Sequence, residues 1–79
     1  MKSTVLASLE TDDHTQCVDF FRREDGTFGF EQYRGEYDGS PAWQSLGKYS
    51  QLTFASGPEA LHAARQHVPW LRAEEVWRW

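Results

Sequence analysis

Two runs of apolar and polar residues on either side of a compact turn constrain the fold of this chain more than any other feature. The runs cover residues 17–23 and 27–34, and the turn between them is Glu24-Asp25-Gly26, whose glycine suits a positive backbone φ. The pattern predicts an antiparallel β-hairpin with a three-residue loop. A two-residue turn would put Phe20 on the opposite face from Phe28 and Phe30, so burial favours the longer loop.

The three-residue loop also predicts which side chains share a face. Phe20 lies opposite Phe30, and the core face carries Val18, Phe20, Phe28 and Phe30. The other face carries Phe21, Arg23, Glu31 and Tyr33, with Gly29 opposite Phe21. We therefore expect a hairpin with one buried face and one mixed, half-exposed face.

A helix start follows the hairpin region. Ser56 is a typical N-cap, Pro58 lies near the first helical position, and Glu59 completes a capping box. The sequence predicts a helix over about residues 57–68, ended by Pro69. Its buried face is expected to carry Ala60, Leu61, Ala64 and Val68.

The remaining segments are less regular. Residues 4–9 resemble a short strand, and residues 1–15 are expected to be an edge strand or weakly ordered. Residues 35–41 read as a loop. Residues 42–46 and 48–54 resemble one long bent strand or two short ones around Gly47, with Leu52 and Phe54 assigned to the core by alternation.

The C-terminal segment, residues 70–79, holds three of the chain's tryptophans. If a second short helix begins at Pro69, then Trp70, Ala73 and Trp77 share one of its faces. We expect this tail to lie on the second face of the sheet or on a partner chain.

Together these elements predict one α+β domain over residues 1–79. We expect an antiparallel meander of three to four strands, with the main helix packed on one face and a short Trp-rich C-terminal segment. The chain has 79 residues, with 5 Phe, 4 Trp and 3 Tyr but no isoleucine, so aromatic rings must supply most of the core.

Charge and cysteine content exclude several protein classes. The net charge is −4, with acids and bases interleaved, which disfavours a nucleic-acid partner. No apolar run approaches the ~20 residues of a membrane span, and the N-terminal run is too short for a signal peptide. The single cysteine, Cys17, agrees with a reducing compartment, so we expect a cytoplasmic protein.

The residues that could form a metal site or a catalytic site lack the partners that such sites require. His14 and Cys17 have a metal-like spacing, but His62 and His67 do not complete a four-ligand site, so we predict no metal and no cofactor. No basic group close to Cys17 in the sequence would activate its thiol. The acidic pairs lie in loops or in the tail, and we predict no catalytic residues and no enzyme.

The remaining candidate is an interaction surface. Its predicted members are Phe21, Arg23, Tyr33, Trp70, Trp77 and Trp79, since Trp, Tyr and Arg dominate binding hot spots. The favoured function is a non-enzymatic protein-interaction or self-associating module, with a protein partner or a homodimer. One alternative is single-stranded nucleic-acid binding through the rings of Phe21 and Tyr33 together with Arg22, Arg23 and Arg34. The other is a structural domain in which all the rings are core.

Residues 17–71 resemble small uncharacterised bacterial β-β-β-α domains. The resemblance rests on the hairpin turn at residues 24–28 and on the Ser-capped, alanine-rich helix at residues 56–67. It implies the α+β fold and a paired or tandem arrangement, and it implies no reaction. The loop at residues 35–41 and the Trp-rich tail depart from this family.

Overall fold

The computed structural model describes residues 3–35, 43–72 and 75–79. Its described elements are four strands and one helix, in the order β1 (Ser3–Glu10), β2 (Gln16–Arg23), β3 (Phe28–Gly35), β4 (Trp43–Ser45) and α1 (Gly57–His67). The strands form one antiparallel sheet in the order β1-β2-β3-β4, and the helix contacts β2 and β3. The predicted α+β meander with one helix on the sheet is confirmed.

The hairpin between β2 and β3 has the predicted register. Phe20 pairs with Phe30, and Phe21 pairs with Gly29. The turn closes with Arg23 N–H donating to the Thr27 carbonyl at 2.8 Å, while Gly26 has a φ of +85°. Its three-residue loop is the one that burial of the phenylalanines required.

Strand β1 lies at the edge of the sheet and carries a β-bulge. Val5 pairs with Phe21 and Ala7 pairs with Phe20, so Leu6 is an extra residue in β1. The bulge reverses the alternation of side chains along this strand. As a result, Ser3 and Val5 share a face with Phe21, whereas Ala7 and Leu9 share a face with Phe20 and Val18.

The prediction of strand structure over residues 48–54 is wrong. Strand β4 ends at Ser45, the chain turns at residues 48–51, and only Phe54 returns to β3, through an isolated bridge with Phe28. Leu52, assigned to the core from the sequence, is 40% exposed. Phe54 packs against the core as expected. Tyr49, which the sequence did not assign to the core, also packs against it, and its ring lies 5.1 Å from that of Phe30.

The helix begins where the sequence indicates. The Ser56 hydroxyl accepts a hydrogen bond from the Glu59 N–H at 3.3 Å. The Glu59 carboxylate accepts from the Ala55 N–H at 3.2 Å, one residue earlier than in a standard capping box. The four side chains predicted to face the sheet are all buried: Ala60, Leu61, Ala64 and Val68.

The C-terminal tail packs beside the helix, not on the sheet's second face. Trp77 makes edge contacts with Phe20 and Phe28 at ring distances of 5.7 and 5.8 Å, and Trp79 stacks near Phe20 at 6.2 Å. The Arg65 guanidinium donates to the Glu75 carbonyl at 2.6 Å and ties the tail to α1. The prediction that the tail lies on the second face of the sheet is therefore wrong.

Two further predictions, the second short helix after Pro69 and the loop at residues 35–41, involve residues outside the described ranges. Described residues 68–72 and 75–79 contain no second helix, and Ala73, which was to share its face, lies outside the described residues. Residues 36–42, which hold most of the predicted loop, also lie outside them. Within the described ranges, no helix is long and apolar enough to cross a membrane.

Candidate interaction surface

The sheet has one face turned away from α1 and the tail, which we call the helix-free face. Strand pairing and side-chain alternation assign it these residues: Ser3, Val5, Ser8, Glu10, Cys17, Asp19, Phe21, Arg23, Gly29, Glu31 and Tyr33. The opposite face carries the phenylalanine core under the helix and the tail. Three of the six predicted interaction residues lie on the helix-free face: Phe21, Arg23 and Tyr33.

Phe21 and Arg23 form a fixed pair on this face. The Arg23 guanidinium lies 4.9 Å from the centre of the Phe21 ring, a cation–π contact. Both side chains pass directly over Gly29, where a Cβ would come within 2.8 Å of each. The glycine opposite Phe21 therefore serves close packing on this face, and it leaves Phe21 half-buried.

Arg23 is committed to holding the chain segment beside β3. Its guanidinium donates to the carbonyls of Phe28, Ser50 and Leu52 at 2.8–3.1 Å. The Ser50 and Leu52 carbonyls lie where the β3–β4 ladder is interrupted, so the arginine supplies donors there, whereas the Phe28 carbonyl also accepts from the Phe54 N–H. Arg23 thus acts mainly within the fold, a role that the sequence pattern alone did not indicate.

Glu31, which was not among the predicted site residues, binds the backbone N–H groups of the segment whose carbonyls Arg23 binds. Its carboxylate accepts hydrogen bonds from the backbone N–H groups of Gln32, Lys48, Tyr49 and Ser50, at 2.9–3.4 Å. The residue is only 2% exposed. The Glu31 carboxylate therefore binds backbone N–H groups, and the Arg23 guanidinium binds backbone carbonyls, of the same segment. We call this segment, residues 48–52, the 48–52 loop.

Tyr33, Cys17 and Asp19 form a polar cluster beside this loop. The Cys17 thiol donates to the Asp19 carboxylate at 3.1 Å, and the Ser8 hydroxyl donates to the same oxygen at 2.6 Å. Burial, followed by the Asp19 carboxylate, raises the pKa of Cys17 to about 12. Burial is also the largest cause of the raised pKa of the Tyr33 hydroxyl. Both groups stay protonated at neutral pH.

This chemistry does not suit catalysis at Cys17. A nucleophilic cysteine needs a lowered pKa and a nearby base, and here the neighbours are carboxylates that oppose ionisation. His14 instead bonds to Glu10 at 2.6 Å on the surface. Across the described residues, no group of three or more His, Cys, Asp or Glu side chains is placed to hold a metal.

The three tail tryptophans lie apart from Phe21 and Tyr33, on the helix side of the sheet. Trp77 packs against Gly57 so closely that a Cβ at Gly57 would overlap the ring. Trp70 donates from its indole nitrogen to the Gln16 side-chain oxygen at 3.1 Å. Trp79 stacks near Phe20 but remains 36% exposed. The structure therefore does not bring the six predicted residues together.

The positions of the arginines bear on the nucleic-acid alternative. Arg22 and Arg34 pair with residues of the core face, so alternation turns them away from Phe21 and Tyr33. Around those two rings the helix-free face carries the carboxylates of Asp19 and Glu31. A stacking platform for single strands needs cations that are free to bind phosphates beside its rings. Arg23, the cation beside Phe21, already donates to the Ser50 and Leu52 carbonyls, so this arrangement does not favour that function.

Strand β1, in the region expected to be an edge strand or weakly ordered, has a free edge. Among the described residues no strand pairs with its outer side, and Val5 is 56% exposed there. A signal for it does exist in the sequence: residues 3–9 contain no charged residue and no proline, the usual protections of an edge strand. The edge adjoins the helix-free face through the Val5–Phe21 pair.

Two surface clefts are mainly polar. A cleft of about 870 Å³ lies at the end of the sheet, where Gln16, Gln32, Arg34 and Lys48 line part of it. The Gln16 side-chain oxygen already accepts from both Gln32 and Trp70. A second, of about 340 Å³, lies between the end of β1 and the chain after the helix.

Comparison of the chain with protein-family models, curated proteins and solved structures finds no match. The resemblance to small bacterial β-β-β-α domains therefore stays a prediction. The functional interpretation rests on the geometry of the described residues.

Proposed function

We propose that this chain is a non-enzymatic interaction module that self-associates through β1 and the part of the helix-free face that adjoins it. The observation that carries the proposal is the one-sided packing of the molecule: α1 and the tail both contact the core face. The opposite side keeps two half-buried rings, Phe21 and Tyr33, and Phe21 pairs with the exposed Val5 of the neighbouring strand. Uncovered rings beside exposed aliphatic groups are typical of protein contacts.

The rigidity of this side supports the same function. The cation–π contact with Arg23 and the close approach to Gly29 restrict the Phe21 ring, so less side-chain entropy is lost on association. The neutral Cys17 and Tyr33 groups add no charge to be desolvated at neutral pH. As a free thiol that is buried, Cys17 is also consistent with a cytoplasmic protein.

Sedimentation equilibrium of the full chain over a wide concentration range tests the proposal. We expect a reversible monomer–dimer equilibrium that Phe21→Gln weakens about tenfold, a loss of roughly 1.4 kcal/mol. The matched control is Val76→Gln, which removes an exposed apolar side chain from the tail. We expect this control to leave association unchanged.

Two outcomes would count against the proposal. One is a monomer at every concentration, and the other is equal weakening by the two variants. Urea unfolding of each variant, run in parallel, separates lost association from lost folding. A folded Phe21→Gln monomer alongside a dimeric control supports the proposal.

A further inference from the structure

Strand β1 has the properties of a pairing edge. It is eight residues long, it lies at the end of the strand order, and its residues 3–9 carry no charge and no proline. Edge strands of monomeric proteins are usually short, charged, proline-bearing or covered. In the part of the chain that the structure describes, β1 has one charged residue, Glu10 at its end, and a bulge, and no described strand pairs with its outer edge.

The bulge determines which pairings of β1 are geometrically consistent. On the N-terminal side of Leu6, Thr4 faces the core side and Val5 faces the helix-free side. On the C-terminal side, Leu9 faces the core side and Ser8 faces the helix-free side. In a two-fold antiparallel pairing, directly opposed side chains must share a face.

We propose that β1 pairs with β1 of a second copy of this chain, in an antiparallel arrangement around a two-fold axis between Leu6 and Ala7. This deepens the proposed function, on which it rests, by naming the contacting edge and its register. In this register every opposed pair whose faces are fixed by the pairing with β2 shares a face. The pairs are Ser3 with Glu10, Thr4 with Leu9, Val5 with Ser8 and Leu6 with Ala7.

Neighbouring registers fail this condition. A shift by one residue sets Thr4 against Ser8 or against Glu10, and in both cases the two side chains lie on opposite faces. Because the bulge reverses the alternation in the middle of β1, a regular strand cannot match it along its full length, whereas a strand with the same bulge can. A second copy supplies such a strand, and an isologous contact is the commonest form of homodimer.

Electrostatics also favour a second copy in this register. Glu10 is the one charged residue of β1, and it lies opposite Ser3 at the end of the paired strands. The two copies of Glu10 are then about 23 Å apart along the strands. This separation is well beyond the Debye length of ~8 Å at physiological salt, so their repulsion is screened.

The pairing joins the two helix-free faces side by side. The two-fold axis runs perpendicular to the sheet, so Val5 and Phe21 of both copies lie on the same side of a continuous eight-stranded sheet. Val5 of each copy then contacts Ser8 of the other across the new strand pair. Loss of the Phe21 ring weakens the dimer because that ring supports Val5 from the neighbouring strand.

Cysteine cross-linking tests the register. We expect Val5→Cys and Ser8→Cys proteins to form a disulfide-linked dimer when mixed and oxidised, and to form little when each is oxidised alone. The mixture of Ser3→Cys with Ser8→Cys is the control and should not cross-link. The wild type, whose Cys17 is buried with its pKa raised to about 12, gives the background. Efficient self-linking of Val5→Cys would indicate a different pairing, either parallel or antiparallel and centred on Val5, and would overturn the proposal.

A charge at the edge gives an independent test. We expect Val5→Lys to weaken the dimer at least tenfold, because a lysine on an edge strand opposes pairing with another edge and the contact of Val5 with Ser8 of the other copy is lost. Val76→Lys is the matched control, since Val76 and Val5 are 59% and 56% exposed. A dimer that survives Val5→Lys and lacks the mixed disulfide overturns the β1 pairing but keeps self-association. A wild type that stays monomeric contradicts both.

Discussion

The two faces of the sheet are both partly closed to solvent, but by different chemistry. On the helix side, Phe20 and Phe30 are fully buried against alanines and Trp77. On the helix-free side, the buried groups include the Glu31 carboxylate and the Cys17 thiol, which are held by hydrogen bonds. Apolar contacts accept any neighbour of suitable shape, whereas each buried polar group needs a specific partner. The helix-free side therefore depends on individual residues more than on total buried area.

The largest expected effect compares adjacent phenylalanines on the two faces. Phe20→Ala removes a fully buried ring and should lower the free energy of unfolding by about 3–5 kcal/mol. Phe21→Ala removes a half-buried ring on the helix-free face and should cost clearly less. Urea unfolding measures both values under conditions where the chain is monomeric. Equal losses would show that the two faces contribute equally to the fold.

The second prediction concerns Glu31. Glu31→Gln replaces a carboxylate oxygen, which accepts backbone N–H groups, by an NH₂ group that faces the same donors. We expect a loss of about 2 kcal/mol in unfolding free energy, and faster amide exchange in the 48–52 loop. Glu24→Gln, in the exposed hairpin turn, is the control and should change stability by less than about 0.5 kcal/mol. If Glu31→Gln leaves the free energy of unfolding unchanged, other contacts hold the 48–52 loop.

The third prediction tests the packing of the tail on the helix side. In Gly57→Ala the new methyl group would overlap the Trp77 ring, so the ring must move. We expect a loss of about 1–3 kcal/mol and a red shift of tryptophan fluorescence. In a Trp77→Ala background the same substitution should cost much less, because the obstructing ring is gone. Additive effects of the two substitutions would contradict this contact.

The smallest expected effect is a pH dependence from Cys17. Its pKa rises from 9.0 to about 12 on folding, so the folded chain keeps a proton that the unfolded chain releases. This contribution to stability is complete below pH 9 and is lost as the pH rises through about 12. Compared with Cys17→Ser, which has no thiol, the wild type should lose stability more steeply above pH 9. Parallel stability curves would argue against a buried neutral thiol.

The structure confirms the local predictions from the sequence. The hairpin register follows from residues 24–26 and from the phenylalanine alternation on either side of them. The helix start follows from the Ser56 hydroxyl, which bonds to an N–H three residues away. In both cases, residues that are close in sequence supply the stabilising contacts.

The wrong predictions all depend on distant contacts. Alternation predicted a strand with Leu52 in the core, but the Arg23 and Glu31 side chains bind the backbone of this segment and replace its ladder. Tyr49 turns into the core in its place. The position of the tail depends on the gap beside Gly57, which forms only after the helix has packed on the sheet.

By itself the sequence determined the hairpin, the helix and a core built from aromatic rings, because period, turn chemistry and capping act over a few residues. Only the tertiary structure decided which face the tail covers, which rings remain accessible and which edge is free to pair. Those outcomes depend on the shape and hydrogen-bonding needs of surfaces assembled from separate segments. They place the candidate interaction surface on β1 and the helix-free face, away from the tryptophans that the sequence emphasised.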